Sequence, residues 1–199
     1  MIIDLLSNNF GIYSLGFFFM NQFMSCYQEK KLAGNIVSFT HAFGSTLLNG
    51  LFLTNPSSNM LILAKNFSIG YFTFDALKII NKLKFSKMDM VFIYHHFATI
   101  YFLNLTLPYY YVQKILFLSE ISNLPYYFVY HYLHITPKSM KNINFWKNIQ
   151  FYVYSLIRIP MLSYIFYNAY HETNDIFSAV ICLPVYLMGI FWSIILLKS

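Results

Sequence analysis

The chain has 199 residues, of which 58% are hydrophobic and only 10% charged. A soluble domain usually carries about 25% charged residues, so too little polar surface remains to cover a water-soluble globule of this length. The net charge of +6 would point to nucleic acid in a soluble protein. Here the lysines cluster between apolar blocks, so the charge reads as loop charge beside lipid, and no nucleic-acid partner is expected.

Seven apolar segments follow one another, each of the roughly 20 residues needed to cross about 30 Å of hydrocarbon. The first covers residues 5–27. It follows "MIIDLL", has no basic leader and is too long for a signal peptide, so it reads as a retained span. The loop "QEKKLAG" brings Lys30 and Lys31. The second span, 33–53, places Gly34, Ser38, His41, Ser45 and Asn49 three or four residues apart, on one helix face. The loop "TNPSSN" is free of basic residues. The third span, 60–81, repeats the pattern with Ser68, Tyr71, Asp75 and Lys78.

The loop "NKLKFSKM" carries Lys82, Lys84 and Lys87. The fourth span, 89–108, holds Asp89, the adjacent pair His95 and His96, and Thr99. "LPYYYVQK" carries Lys114 alone. The fifth span, 113–134, has Glu120, Asn123, Tyr127 and His134 on one stripe and Pro125 within it. "TPKSMKNINFWK" brings Lys138, Lys141 and Lys147. The sixth span, 149–169, contains Arg158 and Pro160. After "HETND" the seventh, 176–197, contains Pro184, and Lys198 follows. Each proline removes a backbone hydrogen bond and can kink its helix. Cys26 and Cys182 form no metal or redox motif and read as small buried residues.

The expectation is an all-α, polytopic membrane helical bundle of about seven transmembrane helices. With seven crossings the lysine-rich loops fall on one side, with Lys65 and Lys114 as exceptions. The positive-inside rule then puts the N-terminus in the lumen or outside and the C-terminus in the cytosol.

Ionisable residues inside spans are costly and usually face the bundle interior. His41, Asp75, His95, His96, Glu120 and Arg158 form such a set, from five helices. Counting along oppositely running spans puts Asp75 level with the histidine pair. Neighbours on a helix point about 100° apart, so one histidine can face a cavity while the other meets Asp75 or another helix. A polar network fixing helix registry is one reading. A functional pocket is the other, and the convergence of six residues favours it. No metal is expected, because the core lacks an i,i+4 histidine pair and thiolates.

The ordered segments "SFTHAFGS", "SIGYFTFDAL", "MDMVFIYHHFATIYFL", "SEISNLPYYF" and "SLIRIPML" resemble the TLC domain. This is the membrane module of ceramide synthases, translocating-chain-associating proteins and smaller TLC-only proteins. The resemblance divides the chain into a first transmembrane helix and cytosolic loop, 1–32, and a six-helix TLC core, 33–199. It implies residence in the endoplasmic reticulum, membrane lipids as partners and no cofactor. It assigns His95, His96 and Asp75 as the catalytic set of a ceramide synthase. His41, Tyr71, Thr99, Glu120 and Arg158 are the expected substrate-binding residues. Ceramide synthases carry an Asp-rich stretch in the span after the histidines, where this chain has "SEISNLPYYF" with Glu120 alone. That departure points to the TLC-only proteins, and to lipid binding or regulation in membrane lipid homeostasis. The alternative is an acyltransferase moving an acyl chain from acyl-CoA to a long-chain amine.

Overall fold

The computed structural model describes residues 9–105 and 109–197. Residues 5–8 of the first expected span, 106–108 of the fourth and Lys198 lie outside the described residues. Among those described there are seven helices and no strand: α1 Phe10–Tyr27, α2 Lys30–Thr54, α3 Ser58–Ile80, α4 Lys87–Leu103, α5 Tyr109–His134, α6 Met140–Thr173 and α7 Ile176–Leu197. α6 holds a π-helical turn, Ile157–Met161.

Local chemistry sets the boundaries. The side chains of Asn9, Ser57, Ser86 and Ser139 cap α1, α3, α4 and α6 by accepting hydrogen bonds from first-turn backbone N–H groups. α6 ends where Asn174 turns left-handed, with φ 52°, a conformation that asparagine tolerates better than most residues. Asp89 takes a local role within the expected stripe of the fourth span. Its Oδ2 accepts from the Ser86 N–H at 2.8 Å and from Ser86 Oγ at 2.7 Å, and its other oxygen pairs with Lys82. It completes a capping box at the helix start and is buried, like His96 seven residues on.

Consecutive helices run antiparallel, and close contacts fix their register. Ser45 meets Ser68 at 3.1 Å, and Tyr71 donates to Ser38 at 2.8 Å, so α2 and α3 match polar face to polar face. Asn35 donates to the Tyr127 carbonyl, and Gly50 lies against Phe117, which seats α5 on the other flank of α2. α3 packs on α4, α4 on α7, α7 on α6, α6 on α5 and α5 on α2. Six helices thus close into a ring. α1 lies outside it, against α2 and α3. The alternation collects Lys30, Lys31, Lys82, Lys84, Lys87, Lys138 and Lys141 at one end of the bundle.

Polar and ionisable side chains share the interior with an apolar core, while many large apolar side chains face outward. His41, Ser45, Asn49, Ser68, Gln113, Glu120, Ser122 and Arg158 are buried. Phe19 (66% exposed), Leu47, Tyr152, Phe177 (65%) and Phe191 face outward. Among the described residues, two helices, Lys30–Thr54 and Met140–Thr173, are long and apolar enough to cross a membrane, and Ala179–Ile195 is a shorter apolar helix. The reason is compositional for α3 and α5, where Asn, Ser, Lys and Gln dilute the apolar residues. It is length for α4, whose 17 residues span about 26 Å. Of the two cysteines, Cys182 is buried as expected and Cys26 is exposed on α1.

The α1–α3 contact rests on Gly70. A Cβ there would lie 2.5 Å from Tyr13 Cβ, 2.8 Å from the Phe10 carbonyl oxygen and 3.0 Å from the Ser14 nitrogen. Two of the three are backbone atoms that cannot swing aside. Gly70→Ala should therefore push α1 off the ring and destabilise by about 1–3 kcal/mol. Gly16→Ala, where a Cβ meets nothing within 4 Å, should be neutral or slightly stabilising. Thermal melting of the two variants in detergent, compared with wild type, checks the pair.

Candidate functional site

The expected residues come together as two adjoining groups, with Phe72 between them. The first group begins at His41, fully buried on α2. Its ring stacks on Tyr71 with 3.9 Å between centroids and 7° between planes. Tyr71 is held by Ser38, so the stack is fixed at both ends. Phe72 meets His41 edge-on at 5.1 Å and His96 at 5.4 Å. His96 Nε2 lies 2.9 Å from Asp75 Oδ2. The pair links α3 to α4 at the level that counting along the spans predicts. A carboxylate on one imidazole nitrogen fixes the orientation of the ring.

The second group lines a narrow cavity of about 70 Å³ inside the ring. His95 and Thr99 come from α4, Ser119, Glu120 and Asn123 from α5, Arg158 from α6, and Cys182 and Tyr186 from α7. The adjacent histidines therefore divide the work: His96 turns to Asp75, and His95 turns to the cavity. Thr99 Oγ1 donates to the His95 carbonyl at 2.8 Å, which holds that turn of α4 in place. Asp75 does not line the cavity, so the imidazole it orients is that of His96, one residue from the cavity wall.

Arg158 organises the second group. It sits on the π-helical turn, where Pro160 withholds one backbone N–H and an extra residue is accommodated. Its Nε donates to Ser122 Oγ at 3.0 Å. Its Nη2 donates to the Ser119 carbonyl at 2.9 Å and to Asn123 Oδ1 at 3.1 Å. The guanidinium lies 5.0 Å from the Tyr154 ring centroid, near enough for a cation–π contact. Asn123 bridges the charges, since its Nδ2 donates to Glu120 Oε2 at 3.5 Å. Glu120 and Arg158 thus communicate through an amide, and each keeps an aspect toward the cavity.

Among the described residues, the Nδ1 atoms of His95 and His96, Nε2 of His41 and Oδ1 of Asn49 are buried without a hydrogen-bond partner. Such atoms are rare in folded proteins and call for a ligand, a water or a strained role. Ser119 and Ser122, which hold Arg158, lie in the segment "SEISNLPYYF" but were not expected as site residues, and Asn123 was marked only as part of a stripe. Their signal is the 119, 122, 123 spacing, one helix face directed at a buried arginine. His134, expected on the same stripe, is exposed at the end of α5, where it stacks on Tyr130.

The chain matches no family model, no curated protein and no solved structure.

The bridge gives a measurable coupling. Arg158→Met and Asn123→Ala each remove hydrogen bonds from one network, so a double-mutant cycle on unfolding should return an interaction energy of about 1 kcal/mol or more. Arg158→Met combined with Gly16→Ala should be additive.

Proposed function

We propose that this is a multi-pass membrane protein of the TLC type, and that it acts in membrane lipid homeostasis by binding or regulating a lipid in the polar cavity inside its helical ring. The observation that carries the reading is a polar set buried inside the ring together with large apolar side chains on its outer surface. A cation, a carboxylate and an imidazole, from Arg158, Glu120 and His95, line an internal cavity, while Phe and Leu side chains face outward on the surrounding helices. In water such a surface would associate. In hydrocarbon it is the stable arrangement, and the buried polar groups then become the recognition elements.

On this reading all seven helices cross the bilayer. Those too short or too polar on their own are sheltered by neighbours that cover their polar faces. The lysine-rich end faces the cytosol, with the N-terminus lumenal or outside. The TLC resemblance places the protein in the endoplasmic reticulum. The cavity offers a guanidinium and a carboxyl group, so a lipid whose headgroup carries both hydrogen-bond acceptors and donors fits it best. Native mass spectrometry of the purified protein should find a retained lipid. Arg158→Gln should lower the retained fraction at least fivefold while the variant still melts cooperatively. Wild type free of lipid in every mild detergent would rule the binding role out.

A second reading is favoured by the Asp75–His96 pair at 2.9 Å beside His95 on the cavity wall. It is transfer of an acyl group from acyl-CoA to a long-chain amine. The amine nitrogen attacks the thioester carbonyl, the C–S bond breaks, CoA leaves as the thiol, and the imidazole passes the amine proton to the leaving sulfur. Purified protein supplied with palmitoyl-CoA and a sphingoid base should then release CoA. His95→Ala and His96→Ala should each lower the rate by about 10²-fold or more. Release unchanged in both variants would end this reading.

A further inference from the structure

The polar cavity is not alone at its level. A second depression of about 290 Å³ opens on the outside of the ring, between α4 and α7. Its walls are Met90, Val91 and Tyr94 from α4, and Pro184, Val185 and Met188 from α7. Its floor is His95. Both His95 and Val185 also line the inner cavity, so the two spaces are separated by the thickness of two side chains.

Three features make this wall the weak point of the ring. Pro184 has no N–H, so the α7 backbone lacks a hydrogen bond at this level. The Tyr94 hydroxyl donates to the Ile181 carbonyl at 2.8 Å, a side-chain hydrogen bond between the two helices one turn from the proline. The groove is floored by His95, whose Nδ1 is buried and unpartnered. The rest of the lining is apolar, and its two methionines have flexible, polarizable side chains that adapt to a mobile guest. The flanking residues Phe97 (55% exposed), Leu187 and Phe191 (60%) face outward, so the groove opens onto the same medium as the apolar surface. By volume, the inner cavity is smaller than a typical ligand pocket of about 300–1,000 Å³, and the two spaces joined would enter that range.

We propose that the α4–α7 groove is the lateral entrance of the cavity, and that the hydrocarbon chain of a bilayer lipid passes between Tyr94 and Met188 and displaces the His95–Val185 wall to reach it. The proposal rests on the lipid-binding reading above and adds the route and the source: the ligand comes sideways from the bilayer, with its chain leading. His95 then stands at the threshold, where its free nitrogen meets the first polar group that follows the chain.

The test uses the full chain in proteoliposomes with a phosphatidylcholine carrying a diazirine in one acyl chain, with cross-linked peptides mapped by mass spectrometry. In wild type, labelling should fall on Met90 and Met188, on the cavity residues Thr99 and Cys182, and on the outer residues Phe97 and Phe191. Val185→Trp should lower the label on Thr99 and Cys182 at least fivefold and leave that on Phe97 and Phe191 unchanged, which also shows that the variant is folded in the bilayer. Val185→Ala, which widens the wall, should raise the cavity label. Cavity labelling within twofold of wild type in Val185→Trp would overturn the entrance and leave the lipid cavity standing. Labelling of Phe97 and Phe191 in wild type with none on Thr99 or Cys182 would overturn both.

Discussion

A guanidinium held inside a ring of helices is the constraint on which the rest of this structure turns. The guanidinium of Arg158 has five N–H donors and no acceptor, so its burial has to be met by oriented acceptors. It is met by a hydroxyl, a backbone carbonyl and an amide, all from one face of α5. That requirement fixes the rotation of α5 and its separation from α6. It also accounts for the π turn, since π-helical turns place a side chain where a regular helix would not and recur at functional sites. With Arg158 fixed, Asn123 is fixed, and through it Glu120.

The remaining polar groups form a second network that shares a wall with the first. His41 and Tyr71 stack, Ser38 holds Tyr71, and Asp75 holds His96. Phe72 lies against His41, His95 and His96, and it also lines the cavity. The structural network and the cavity therefore meet at one aromatic ring and one pair of adjacent residues. His96, paired with Asp75, and His95, on the cavity wall, are neighbours on one turn of α4.

Much of this was legible in the sequence. The three- and four-residue spacing of Gly34, Ser38, His41, Ser45 and Asn49 marks the inner face of α2. The matching stripe on α3 marks its partner, and the two faces do meet. The level of Asp75 with the histidine pair followed from counting along helices of known rise. The split of roles between His95 and His96 could be foreseen as an alternative, because neighbours diverge by about 100°, but which residue faced the cavity depended on how α4 is rotated. The capping box of Ser86 and Asp89 was not foreseen, because the span pattern marks Asp89 only by its place on the stripe. The pairing of α4 with α7 was not legible. It joins segments some 90 residues apart, and their contact is set by closure of the ring. Seven apolar blocks raise the expectation of seven crossings, whereas among the described residues length and hydropathy mark two helices capable of one.

The central claim is that the polar interior and the apolar exterior belong together, as a lipid-embedded bundle with a lipid inside it. The most direct measurement is a cryo-electron-microscopy map of the full chain in a phospholipid nanodisc. The account predicts the ring of six helices within the disc, its apolar faces against lipid, and elongated non-protein density between His95, Glu120 and Arg158. A map with the apolar faces covered by other protein and the cavity holding water alone would contradict it.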